Sequence, residues 1–204
     1  MLTLDHLAVA AATLEDGRIA VEDALGVALQ TGGQHAHFGT HNLLLGLEDG
    51  LYLEVIAVDP AAGDPGRARW FDLDRFAGAP RLANWICRCE DLEAALAAAP
   101  EGSGAPVAFS RGDLRWRMAV AADGRVPFDG AFPALIEWQG AHPAARLAPS
   151  GCRLRRLVIA HPEAAALRAA LAPVLNDARV VVEPGPHMAM MAEFDTPTGV
   201  RVLR

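Results

Sequence analysis

The sequence lacks any apolar run long enough to span a bilayer, and its N-terminus has neither the basic flank nor the small-residue cleavage site of a secretory signal. A membrane partner is not expected, and the cytoplasm is the expected compartment. Cysteine is scarce. Of three, Cys87 and Cys89 lie two apart in a strand-like run, too constrained for a normal bridge, and Cys152 is distant. Free thiols in a reducing compartment follow. An excess of basic charge is also missing, since 18 Lys and Arg against 25 Asp and Glu leave a net charge of −7. The cluster Arg153, Arg155 and Arg156 is too short to make a nucleic-acid binder, so a small-molecule ligand is expected. There is no phosphate-cradling Gly-rich loop with a Lys, no Gly-x-Ser-x-Gly elbow and no four-Cys zinc arrangement.

What is present is a globular composition, 52% hydrophobic over 204 residues, enough for one large domain or two small ones. Leu2 to Ala10 is an apolar run of strand length interrupted by His6, and Leu51 to Ala57 is a second with one carboxylate, Glu54, at its centre. Between them, Thr13-Leu-Glu-Asp16 opens a helix with a capping box and Gly26 is placed to end it. Residues 28 to 42 are polar and Gly-rich, and irregular structure is expected there over 31 to 42. Leu43 to Leu47 and Leu51 to Val58 read as strands joined around Asp49-Gly50. The order is strand, helix, three strands.

After a Pro- and Gly-rich connection at 61 to 80, with a short helix expected over Trp70 to Phe76 above a cavity mouth, the order begins again. Leu82 to Cys87 reads as a strand, Asp91 to Ala99 as an Asp-capped helix, and strands follow at Val107 to Ser110, Leu114 to Ala121 and Phe132 to Gln139. The two halves align Asp5-His6-Leu7 with Ala83-Asn84-Trp85, and Tyr52-Leu-Glu-Val55 with Leu135-Ile-Glu-Trp138. Glu137 then falls where Glu54 does. An internal repeat implies two units that cover each other's sheet. A third unit is expected after the break at His142 to Pro149, from the strand at Arg153 to Ala160, the helix at Glu163 to Leu171 and strands near Val180, Met188 and Val200. It has no counterpart of His6 or Glu54.

The two repeats, with Asp5-His6-Leu7 opening one and Tyr52-Leu-Glu-Val-Ile56 closing it, resemble the paired βαβββ modules of the vicinal oxygen chelate, or glyoxalase/bleomycin-resistance, superfamily. Gly39-Thr-His-Asn42, Leu114-Arg-Trp-Arg117 and Ile136-Glu-Trp-Gln-Gly-Ala-His-Pro143 make the chain most similar to the glyoxalase-like domain group. The resemblance implies an α+β fold with paired βαβββ modules forming a cupped mixed sheet. The expected domains are 1–145, with modules at 1–60 and 81–140 and a linker at 61–80, and a βαβββ-like C-terminal module at 150–204. It also implies a divalent metal, Mg, Mn, Ni or Zn, held by His6, Glu54 and Glu137, with Asn84 at the position of the fourth ligand.

Each candidate has a structural alternative. His6 could simply bond a neighbour in its strand. Glu54 and Glu137 are the stronger markers, because a buried unpaired carboxylate costs several kcal/mol, although a salt bridge to Arg115 or Arg117 would also satisfy one. His35, His37 and His41 are expected to line a cavity mouth instead of a second metal site, and His41 and Asn42 to contact substrate. Arg115 and Arg117 flank Trp116 on alternating faces, so that one of them faces the cup and Arg115 joins Asn84, Trp85 and Trp116 as a substrate contact. Arg111-Gly-Asp113 carries no weight. The implied activity is metal-dependent lyase or isomerase chemistry on a small oxygenated metabolite, with Glu137 or Glu54 moving the proton. The other reading is a non-catalytic binding or sequestering cup with Trp85, Trp116 and Trp138 for stacking. A homodimer is left open.

Overall fold

A computed structural model describes residues 1–204, the whole chain. The elements run β1 (Thr3–Ala10), α1 (Leu14–Leu25), β2 (Gln30–His35), β3 (Thr40–Leu47), β4 (Tyr52–Val58), β5 (Arg81–Arg88), α2 (Leu92–Ala97), β6 (Ala105–Arg111), β7 (Leu114–Val120), β8 (Ala134–Trp138), β9 (Pro149–His161), α3 (Ala164–Leu171), β10 (Val180–Pro184), β11 (Ala189–Thr196) and β12 (Gly199–Leu203). Strand, helix and three strands therefore occur three times in succession.

The helix ends are where local chemistry puts them. Thr13 accepts the Asp16 amide and Asp91 the Ala94 amide, satisfying donors of the first turns of α1 and α2. Gly26 closes α1 at φ 71°, a conformation that costs glycine little. The Gly-rich segment expected to be irregular instead forms β2, which pairs with β3 but breaks register between Thr31 and Gln34, where Gly32 and Gly33 lie.

All strands join one sheet in the order β12-β11-β9-β3-β4-β1-β5-β8-β7-β6, with β10 against β9 and β2 against β3. The third unit is attached through β9, whose first residues pair with Gly46 and Leu47 of β3 before the strand continues between β10 and β11.

The centre of the sheet is the antiparallel ladder of β1 and β5. Its pairs are symmetric about Leu7 and Trp85, with His6 opposite Ile86 and Ala8 opposite Asn84. A two-fold relation through that pair makes His6 the counterpart of Asn84 and Ala8 the counterpart of Ile86. Ala8 pairs with Glu54 of β4, and Ile86 with Ala134 of β8. Glu54 is therefore matched by Ala134, three residues before Glu137. An odd offset also reverses the face, because side chains alternate along a strand.

Two apolar layers follow from that alternation. Leu7, Val9, Leu53, Val55, Trp85 and Leu135 turn to the convex side and join Val21 and Leu25 of α1, Leu92 of α2 and the third unit's Leu154, Leu167 and Phe194 in a core of 29 buried residues. Ala8, Ile56, Ile86, Trp116, Met118 and Ile136 turn to the concave side. There they form a second cluster of 13 with Phe38 and with Trp70, Phe71 and Leu73, which lie on a short 3-10 turn over Trp70–Arg75. The connection at 61–80 thus lays aromatic residues over the cup.

Candidate functional site

One irregularity in β1 creates the site. The β1–β5 pairing shifts between Leu4 and His6, leaving Asp5 as an extra residue, so that Asp5 and His6 turn to the same side. Leu4, on the far side of the bulge, stays in the convex core. Asp5 is fully buried and meets three donors: His6 Nδ1 at 2.7 Å from Oδ1, and Trp138 Nε1 at 3.0 Å and His142 Nε2 at 2.8 Å from Oδ2. Burial pushes its carboxyl up, but hydrogen bonds from His142 and His6, and the charges of those rings, outweigh it and hold the group well below the usual carboxylate range. Asp5 accepts only, so the His6 proton on that side sits on Nδ1 and the other nitrogen is left for the cup.

His6 Nε2 points at Glu54, 3.7 Å from Oε2, and the Tyr52 ring stacks on the imidazole at 4.3 Å between centroids. Burial, followed by the charges of Asp5 and Glu54, raises the Tyr52 hydroxyl well above its ordinary range, so it stays a neutral phenol. Glu54 Oε1 accepts from Asn42 Nδ2 at 2.5 Å, and Asn42 Oδ1 accepts the Gly33 amide at 2.7 Å. That second bond fixes which way the Asn42 amide faces. It also explains the glycines of β2: a Cβ on Gly32 would stand 2.1 Å from Asn42 Oδ1.

Above this row lies a cavity of about 40 Å³, lined by His6, Asn42, Tyr52 and Glu54 on one side and by Trp70, Trp116 and Trp138 on the other. His35 and Arg111 close one end. Arg111 Nη1 is 3.4 Å from His35 Nε2, and the His35 Nδ1 partner is Thr40 Oγ1 at 3.1 Å. Burial drives the His35 ring down to about 4, against a smaller upward pull from Glu54, so the imidazole is neutral at pH 7.

Several expected site residues lie elsewhere. Glu137 is on the convex face, where Arg117 of β7 pairs with it at 2.5 Å and the Leu92 amide at the start of α2 donates to it at 2.9 Å. Neither a metal nor a catalytic role in the cup is open to it. Arg115 and Arg117 share a face, since residues two apart in a strand always do, and it is the face opposite Trp116. Arg115 is exposed and donates to the carbonyls of Gly112 and Leu114. Trp85 is buried in the convex core with its Nε1 on the Ala131 carbonyl. His41 points away from the cavity, with Nδ1 4.0 Å from Asp59. Asn84 is buried but lines a separate cavity beside Gly130 and His187. Asn42 and Trp116, with His6 and Glu54, are the expected residues that do come together.

His35, expected at a cavity mouth, does line the cup, whereas Asp5, Tyr52, Arg111 and His142 were not singled out by the sequence as site residues. The Asp-His doublet inside an apolar strand was the available signal for Asp5. Nothing local marks Arg111, which reaches the cup only because β6 ends there.

A resident divalent cation finds a poor donor set here. The four ligand positions, taken from the observed register, hold His6, Glu54, Asn84 and Ala134; alanine has no donor, and Asn84 opens to another cavity. No group of three His, Cys, Asp or Glu side chains is arranged to hold a metal. Two donors fall short of the three protein ligands that zinc sites take, and for Mg²⁺, which prefers oxygen, only the Glu54 carboxylate suits, since His6 offers a nitrogen. The residues present do not fit the group.

The model of a family described as a glyoxalase-like domain matches residues 4–175. Among solved structures, a hypothetical protein from Staphylococcus aureus superposes with a TM-score of 0.62 at 13% identity, covering 93% of this chain and 88% of that one. At that identity the likeness concerns the fold. Methylmalonyl-CoA epimerase from Mycobacterium tuberculosis is similar at a TM-score of 0.43 and 21% identity, over 70% of this chain and 91% of the epimerase. A methylmalonyl-CoA epimerase in complex with methylmalonyl-CoA and NH4+ gives 0.42 and 14% over 68% and 94%. No curated protein matches the chain.

Proposed function

Because the chain belongs to the glyoxalase-like domain family of the vicinal oxygen chelate superfamily, we propose that its cup binds a small oxygenated metabolite and that Glu54 moves a proton on it. The reaction class is that of an isomerase or lyase. The reading rests on one observation: a buried line from Asp5 through His6 to Glu54 and Asn42 ends at an aromatic-walled cavity.

The chemistry assigned to each side chain follows from its partners. Asn42 holds one Glu54 oxygen and leaves Oε2 directed at His6. In the neutral ring, with its proton on Nδ1 toward Asp5, His6 presents a lone pair on Nε2. Two acceptors then face each other across 3.7 Å. A substrate hydroxyl beside the acidic carbon would place its one proton on either of them. Glu54 takes the proton from carbon and returns it. The Trp walls and the 3-10 turn keep water from the developing charge.

The divalent-metal form of this chemistry has weaker support, because the donors at the four ligand positions do not complete a site. The cavity, about 40 Å³, favours a ligand of few heavy atoms. A binding cup without turnover is the second reading, favoured by the enclosing aromatic walls.

The test incubates the protein with small 2-hydroxy and 2-oxo acids in deuterated buffer and follows the proton on the carbon beside the carbonyl by NMR. Exchange that disappears in Glu54→Gln is the expected result. Binding of these acids with no exchange in the wild-type protein would leave the cup as a receptor and overturn the catalytic reading.

A further inference from the structure

A cavity built for acid-base chemistry on an oxygenated carbon also needs something to hold the oxygen that becomes negative. In the cup the carboxylate Glu54 and the His6 ring supply acceptors, and the cation position is short of donors. Two other groups on the wall of the same cavity are different. The Trp70 side chain lines the cavity, and its Nε1–H is buried without a hydrogen-bond partner. A buried indole N–H without a partner is uncommon and costs free energy comparable to a lost hydrogen bond, which a ligand acceptor would restore.

Arg111 lines the cavity too. It forms no ion pair with a carboxylate; its nearest side-chain partner is His35, whose ring is kept neutral by burial. Arg111 thus lines the cavity with no carboxylate to balance its charge. Room for it is provided deliberately by β2, because a Cβ on Gly33 would stand 2.7 Å from Arg111 Nη1. The His35 ring touches both groups: it is 3.4 Å from Arg111 Nη1 and meets the Trp70 ring edge-on at 5.0 Å between centroids. The guanidinium and the indole ring thus both touch the His35 ring, on the wall of the cavity that Glu54 lines.

We propose that Arg111 and Trp70 form an anion receptor in the cup, which binds a carboxylate or enolate oxygen of a small 2-oxo or 2-hydroxy acid. The ligand oxygen accepts from Arg111 Nη and Trp70 Nε1, and the guanidinium takes over the charge stabilisation that a cation gives in metal-dependent enzymes. The proposal rests on the reading of Glu54 as the proton-moving group only for the enolate; recognition of the carboxylate stands without it.

Oxalate, a planar dianion with adjacent oxygens, is the probe, titrated in buffer with a chelator so that no metal mediates it. The readout is the set of indole N–H resonances of the four tryptophans. Trp70 is identified by the signal lost in Trp70→Phe, which keeps the aromatic wall. The expected result is a saturable shift of the Trp70 indole signal, with Arg111→Met weakening oxalate binding by about tenfold or more, as loss of a charge-assisted hydrogen bond does. Arg111→Lys should recover part of the affinity, which separates a lost charge from a misfolded protein. Failure of oxalate to bind the wild-type protein, or equal affinity in wild type, Arg111→Met and Trp70→Phe, would overturn the receptor. Glu54→Gln distinguishes the two readings: oxalate binding that survives in it, with no proton exchange in the wild type, keeps the receptor and removes the catalytic role.

Discussion

His6 Nε2 and Glu54 Oε2 face each other across 3.7 Å, too far for a hydrogen bond and too close to leave an empty space between them. Glu54 is buried, with Asn42 as its hydrogen-bond donor. Glu54→Gln keeps the shape and the Asn42 contact but removes the base. The expected result is a loss of proton exchange by about 10²-fold or more with little change in Tm, checked by the deuterium assay and by thermal melting. Normal exchange in the variant would remove Glu54 from the chemistry.

Glu137→Gln should do the opposite. It breaks the cross-strand pair with Arg117 on the convex face and weakens the hold on the Leu92 amide. A lower Tm with unchanged ligand affinity and exchange is expected, and a loss of exchange at unchanged Tm would place Glu137 back in the site.

Gly32 should be intolerant of the smallest side chain. A methyl group there collides with Asn42 Oδ1, and Asn42 is what orients Glu54. Gly32→Ala is expected to lose about 1–3 kcal/mol in denaturant unfolding, the usual cost of forcing volume into a filled site, together with exchange activity. Gly63→Ala meets nothing within 4 Å and serves as the control.

Stability should fall with acid partly through His35. Its folded value is about 4 against an ordinary 6.5, so the unfolded chain takes up the proton first. The stabilising contribution is complete above 6.5 and is lost as the pH falls toward 4. His35→Asn should therefore show a shallower decline than wild type over that interval in denaturant melts, which cancels the carboxylates common to both. Equal slopes would mean that the ring is not held neutral by burial.

Protein stripped of metal should gain no stability from Mg, Mn, Ni or Zn. A site half-filled at one-hundredth of the cation concentration used would add about 2.7 kcal/mol, which a melting curve easily resolves. A rise of that size would show that His6 and Glu54 recruit further ligands on binding.

The sequence carried the element order well, because apolar periodicity, Thr13, Gly26 and Asp91 act locally. The repeat was legible as well, and the pairing of His6 with Asn84 matches the ladder around Leu7 and Trp85. The second carboxylate was misplaced. Matching Glu137 to Glu54 was reasonable as a pattern, yet strand register is set by pairing with β5, which no local signal reports. The cup's inner wall was least legible: Asp5 enters through a bulge, Arg111 and His142 through the ends of distant segments, and Asn42 is fixed by an amide of β2, a strand expected to be irregular.

The bulge at Asp5 has a further consequence, for chain length more than for residue identity. It works like a frameshift in the phase of β1: upstream, even-numbered Leu2 and Leu4 feed the convex core, and downstream, odd-numbered Leu7 and Val9 do. Deleting Asp5 would bring the strand back into a single phase, with Leu2, Leu4, Leu7 and Val9 all still turned to the convex core and His6 left as the one polar side chain of that stretch facing the cup. Replacing Asp5 would keep the bulge and lose one acceptor, whereas removing it would straighten the strand and leave the apolar face intact.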